Sequence, residues 1–143
     1  MKRSALLTVL CLSVVLLFAS CDQPRRSAVT PGTPLLTFER SGGIAGFQDR
    51  LVIGYGGEYY FVRSGRPERI GSLRSEKYAQ LEKWMERVAP FTLRLEDNPG
   101  GPDNLVRLLV WTGPGRAVPD EAQQREILNW ASGLLDELTV SID

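Results

Sequence analysis

The stretch Phe38–Ile53, FERSGGIAGFQDRLVI, decides the fold of this chain. Apolar and polar residues alternate on either side of a central glycine-rich segment, the period of strands with one buried face. Leu51, Ile53 and Tyr55 fall on one face of the second strand, and Arg50 and Val52 on the other. Between the strands, Ser41-Gly42-Gly43-Ile44-Ala45-Gly46 reads as a six-residue loop, so the two strands form a hairpin with a wide connection. Gly42, Gly43 and Gly46 admit backbone angles with φ > 0 that other residues resist. Ile44 is an apolar side chain held out on that turn.

Working toward the C-terminus, Gly56-Gly57 supplies a tight turn. Tyr59–Arg63, YYFVR, is rich in β-favouring side chains. Ser64-Gly65-Arg66-Pro67 is turn chemistry, and Ile70 continues as a short edge segment. A helix is expected over Glu76–Ala89 with Ser75 as its N-cap. Tyr78, Leu81, Met85 and Val88 form its apolar stripe, Trp84 flanks them, and Pro90 stops the helix. Phe91, Leu93 and Leu95 alternate with polar residues as a half-buried strand, and DNPGGPDN over 97–104 is a loop. Leu105–Thr112 is the most apolar strand. A last helix follows, capped by Asp120 with Gln123 completing a capping box. Its stripe of Ile127, Leu128, Ala131, Leu134, Leu135 and Leu138 needs a sheet to cover. The expected fold is therefore α+β: an antiparallel sheet of about five strands with two amphipathic helices on one face, spanning 35–143.

Upstream, residues 1–20 read as a signal peptide. Lys2 and Arg3 form a positive n-region, Ala5–Leu17 an apolar h-region, and Phe18-Ala19-Ser20 a run toward small residues before Cys21. The four residues Phe18-Ala19-Ser20-Cys21 resemble a bacterial lipobox, with Phe18 where Leu is more usual. That resemblance implies cleavage before Cys21, its lipid modification and acylation of the new amine. An ordinary signal peptide ending near a cysteine is the other reading. Only Cys11 and Cys21 exist; Cys11 leaves with the signal, and a lone exported cysteine needs a use, which acylation supplies. More than one acyl chain suffices for stable anchoring. Residues 22–34, DQPRRSAVTPGTP, read as a flexible tether that spans at most about 45 Å when extended. Arg25 and Arg26 either touch anionic lipid or keep the tether soluble. The expected location is a cell membrane of a bacterial envelope, lipid-anchored and facing the periplasm or exterior. Asp22 resembles an inner-membrane retention signal.

Composition narrows the chemistry. The chain of 143 residues balances 17 basic against 17 acidic side chains, and loss of Lys2 and Arg3 with the signal leaves 15 basic. A near-neutral domain carries no electrostatic footprint for nucleic acid. Histidine is absent, which removes Ser-His and Cys-His pairs and the commonest general base. With the one exported cysteine assigned to lipid, thiol catalysis and Cys/His zinc sites go too. Glu96-Asp97 and Asp136-Glu137 are adjacent acids of the kind usually solvated. The glycine loop leads into a strand with no Lys-Ser or Lys-Thr after it, so it is no phosphate cradle. The run Gly54-Tyr55-Gly56-Gly57 lacks the third glycine of a dinucleotide fingerprint. No catalytic residue, metal, cofactor or small-molecule substrate is expected. Tyr55, Tyr59, Tyr60, Phe61 and Trp111 either form a binding surface or pack beneath a helix.

At FERSGGIAGFQDRLVI the chain resembles the emfourin family, small proteinaceous inhibitors of protealysin-like, thermolysin-type zinc metallopeptidases. Phe38, Arg40, Ser41, Gly42, Gly43, Ala45 and Gly46 match the family's strand–SGG-A-G–strand pattern. The order of later elements is similar too, through Val88-Ala89-Pro90-Phe91 and Ala117-Val118-Pro119 to the terminal leucine-rich helix. The resemblance implies a non-catalytic α+β domain that blocks a peptidase cleft, with Ser41, Gly42, Gly43, Ile44, Ala45 and Gly46 as the candidate partner-binding loop. An export signal departs from many members of that family, so the target is expected in the envelope or outside the cell. The alternative expectation is a structural or adaptor lipoprotein, with inhibition lost, that binds another envelope protein.

Overall fold

The computed structural model describes residues 32–140. The signal peptide over 1–20, Cys21 with its lipid, and almost all of the tether lie outside the described residues.

The elements run β1 (Pro34–Gly42), β2 (Phe47–Gly54), β3 (Glu58–Arg63), β4 (Arg69–Ser72), α1 (Ser75–Met85), β5 (Phe91–Glu96), β6 (Leu105–Trp111) and α2 (Glu121–Val140). The strands form one sheet in the order β4-β3-β2-β1-β6-β5, with every neighbouring pair antiparallel. The α+β architecture is as the patterning implies, but with six strands instead of about five. The extra one is β4, the short edge segment expected at Ile70, where Ile70 lies opposite Tyr60. Pro34, expected at the end of the tether, is already the first residue of β1.

β1 is central, and its register explains the layers. On the helix-covered side, Tyr59, Ile53, Leu36, Trp111 and Phe91 lie in one cross-strand row. Phe61, Leu51, Phe38, Leu109 and Leu93 make the next. Ile127, Leu128, Ala131, Leu134 and Leu135 of α2 and Leu81 and Trp84 of α1 close over these rows. Trp84 meets Trp130 edge-to-face at 5.5 Å between centroids, a favoured aromatic geometry. A bulge between Pro34 and Leu36 turns both Leu35 and Leu36 inward. At this end Thr112 donates its N–H to the Leu35 carbonyl (2.9 Å) and its hydroxyl to the Pro34 carbonyl (2.5 Å).

The sheet's other face carries Thr37, Glu39, Arg50, Val52, Tyr60, Val62, Ile70, Leu108 and Val110, and no described helix covers it. Most of these side chains are half-buried by their strand neighbours alone.

Helix boundaries differ from expectation for local reasons. Arg74, in extended conformation, holds the cap position of α1 and makes no side-chain cap bond, so Ser75 is the first helical residue. The helix ends at Met85, short of Ala89. Pro90 disfavours helical angles at Ala89, and the 113–119 segment takes up the backbone there. Ala89 N–H donates to the Ala117 carbonyl and Ala117 N–H to the Arg87 carbonyl, both at 2.8 Å. At α2 the cap is as expected, with Gln123 N–H donating to Asp120 Oδ1 at 2.8 Å. The arm reaching back belongs to Gln124, whose Nε2 bonds the Pro119 carbonyl.

Candidate functional site

A third cross-strand row on the helix side breaks the apolar pattern. It reads Arg63, Asp49, Arg40, Arg107, Leu95, and it lies directly beneath the glycine turn. Asp49 shares a face with Leu51 and Ile53, and its side chain is fully buried. Arg40 chelates its Oδ2 through Nε (3.2 Å) and Nη2 (2.7 Å). Arg63 Nε stands 3.4 Å from Oδ1, an ion pair without hydrogen-bond geometry. Arg40 also reaches Asp136 of α2 at 2.8 Å. Burial pulls the Arg40 pKa down, but the bonds from Asp49 and Asp136 outweigh it and the net shift is upward. Phe47 closes this cluster, with its ring 4.9 Å from the Arg40 guanidinium and 5.6 Å from that of Arg63.

On this pedestal stands the turn, shorter than its expected six residues. Ser41 and Gly42 still pair with Gln48 and Phe47, leaving Gly43-Ile44-Ala45-Gly46 as the connection. Gly46 N–H donates to the Gly43 carbonyl at 3.0 Å. Ile44 and Ala45 keep negative φ, and Gly46 follows at +63°, the left-handed residue that lets such a turn rejoin the strand. Gly42 is required for a different reason. A Cβ there would overlap the Asn104 carbonyl oxygen. That close approach lets Gly43 N–H donate to the same oxygen at 2.7 Å.

The glycine turn is thus tied to the 97–104 loop. This second loop is braced internally by Asn98 Nδ2 donating to Asp103 and by Gly101 N–H donating to the Asn98 carbonyl (3.0 Å). Arg107 anchors its start through Asp97. Ile44 is the tip of the assembly, with 87 % of its surface exposed, beside exposed Ala45.

The remaining sequence candidates sort plainly. Glu96 pairs with Arg94, Asp97 with Arg107, Asp136 with Arg40 and Glu137 with Lys77, so both adjacent-acid pairs are engaged in salt bridges. Phe61 and Trp111 are core, the latter donating its indole N–H to the Val88 carbonyl at 3.1 Å. Tyr55 and Tyr59 pack against the core, while Tyr60 sits on the helix-free face. The five aromatics therefore form no single surface. Sequence reasoning missed the Arg40–Asp49–Arg63 cluster, although a carboxylate in phase with Leu51 and Ile53 signals it. The bond from Gly43 to Asn104 has no local signal at all. Comparison with protein-family models, with curated proteins and with solved structures finds no match.

Asp49→Ala is expected to lower stability in urea unfolding by about 3 kcal/mol, because it takes the ion-pair partner from Arg63 and leaves the largely buried Arg40 with Asp136 alone. Asp136→Ala, at a partner more than half exposed, is expected to cost under about 1 kcal/mol. In the same assay Gly46→Ala loses about 1 kcal/mol from backbone angle alone. Gly42→Ala loses about 2 kcal/mol or more, since overlap with Asn104 adds to the strain.

A charge-state prediction concerns Glu96, whose pKa is lowered by hydrogen bonds from Arg94 and then Asn104. A depressed carboxylate stabilises the fold at neutral pH, and that contribution fades as pH falls through the folded-state value. Carboxyl NMR titration is expected to place the Glu96 midpoint below the ordinary glutamate value, and Arg94→Ala to return it upward.

Proposed function

We propose that this protein is a non-catalytic, membrane-anchored lipoprotein that binds and inhibits an envelope or secreted zinc metallopeptidase of the thermolysin type. The contact is the Ser41–Gly46 segment, with Ile44 entering an apolar pocket of the enzyme's cleft. The observation that carries the reading is the presentation of Ile44. It is an almost fully exposed isoleucine on a turn pinned through Gly43 to a neighbouring loop. A segment already held in one conformation loses little entropy on binding. Gly46 faces open space and leaves the backbone accessible for close approach, as a segment that lies along a substrate cleft requires. The SGGIAG resemblance supplies the class of target, and the lipobox-like Cys21 supplies the anchor. No covalent chemistry by the protein is needed.

The helix-free sheet face favours a second reading, an adaptor lipoprotein that binds another envelope protein there. Val52, Tyr60, Val62, Ile70, Leu108 and Val110 give that face its apolar content.

Titration of the purified protein against a thermolysin-type peptidase is expected to abolish peptide hydrolysis at stoichiometric excess. Ile44→Asp is expected to raise the inhibition constant by about 100-fold, the equivalent of about 2.7 kcal/mol, with unfolding unchanged. Full peptidase activity at excess protein would defeat the inhibitor reading. Crosslinking that recovers a non-protease partner, still bound by the Gly43→Trp variant, would establish the adaptor reading instead.

A further inference from the structure

We propose that the protein forms a two-fold symmetric dimer by pairing its edge strand β5 with β5 of a second copy. The inference stands apart from the inhibitor reading and uses a different part of the molecule.

β5 ends the sheet, and no described strand pairs with its outer side. Which residues offer backbone groups there follows from one hydrogen bond. Asp97 N–H donates to the Leu105 carbonyl of the neighbouring hairpin arm at 3.0 Å. Backbone groups alternate in direction along an antiparallel strand. The odd-numbered residues of β5 therefore face β6, and Thr92, Arg94 and Glu96 turn their N–H and C=O outward. An edge of this kind is a template for another strand unless it is blocked. Here no proline or bulge lies between Phe91 and Glu96.

Antiparallel pairing of two identical strands must set outward-facing residues opposite one another, which leaves few registers. A two-fold axis at Arg94 places Arg94 opposite its own copy, a destabilising pair of like charges. An axis at Leu93 sets Glu96 opposite Pro90, which has no N–H to give. An axis at Leu95 sets Arg94 opposite Glu96 of the second copy, and Glu96 opposite Arg94, in two reciprocal hydrogen-bonded pairs. Both side chains are exposed on the helix-free face, where they now pair within one strand at 2.9 Å. On the helix side the same register brings Leu95 against its own copy. Leu95 is only partly covered in the single chain and gains an apolar partner there, while Leu93 falls opposite Asp97 of the second copy. The reciprocal charge pairs on the helix-free face select this alignment. The result is an isologous contact that joins two sheets edge to edge. An edge-to-edge contact of a few residues is smaller than a standard interface, and the dimer is expected to exchange with monomer.

Crosslinking of the full-length chain in membranes tests the register. In the proposed dimer Leu95 and its copy form a non-hydrogen-bonded pair with Cα atoms about 4.5 Å apart, within disulfide reach. Leu93 and its copy are about 13 Å apart, four residues offset along the strand. After oxidation, Leu95→Cys is expected to give a covalent dimer on non-reducing gels. Leu93→Cys is expected to give at least tenfold less, with the parent chain and its own cysteines as the reference. Adding Arg94→Glu to Leu95→Cys is expected to cut the yield about tenfold, and adding Glu96→Arg to that pair to restore it. The parent chain in detergent, without any introduced cysteine, is expected to show a concentration-dependent mass by sedimentation, lost in Arg94→Glu. A mass that stays monomeric, equal crosslinking at both positions, or indifference to Arg94→Glu would overturn the proposal.

Discussion

A buried carboxylate must be matched by charge, and in this domain the match to Asp49 organises one end of the sheet. Two rows of apolar side chains run beneath the helices, and a third row in the same register is ionic. Leaving Asp49 alone in that position would carry a desolvation penalty far beyond what one ion pair returns. Arg40 meets it on one side and Arg63 on the other. Asp136 of α2 pairs with Arg40 in turn, so the ionic row also touches the helix. Such an arrangement stabilises little in net energy compared with an apolar row. It does fix alignment, because shifting β1 against β2 by one step would separate Arg40 from Asp49 and turn the pair outward.

The same cluster gives the glycine turn its footing. Phe47, the first residue of β2, lies under both guanidinium groups. The next residues back along the chain are the turn itself. Rigidity therefore reaches Ile44 from two directions, through Phe47 from the ionic row and through Gly43 from the 97–104 loop. An exposed apolar side chain on a mobile loop invites nonspecific contact; on a braced turn it has one direction of approach.

Much of this architecture was legible in the residues. Alternation in β1, β2, β5 and β6 and the leucine stripe of α2 sufficed for an α+β sandwich with helices on one face. Pro90 marked a helix stop, though not its place, because the end of α1 depends on backbone bonds to Ala117, distant in the sequence. β4 was hard to read for a similar reason. Arg69-Ile70-Gly71-Ser72 has weak strand character, and its pairing comes from β3 alongside it. At the candidate site, the glycines announced a tight turn, whereas the need for glycine at position 42 arises from Asn104, which only the fold brings near. Asp49 was visible as a polar residue in an apolar phase, but its partners lie on two other strands and could not be named from spacing.

The direction of β1 carries one more implication. The strand begins beside Thr112 and ends at the glycine turn, so the domain's entry point and Ile44 occupy opposite poles. Nine residues of strand, at roughly 3.3 Å each, separate them by about 30 Å. Under the anchoring proposed above, the stretch upstream of Pro34 would act as the handle of a tool whose tip points outward. Lengthening or shortening that upstream stretch alters how far the tip extends from its support while leaving its shape untouched.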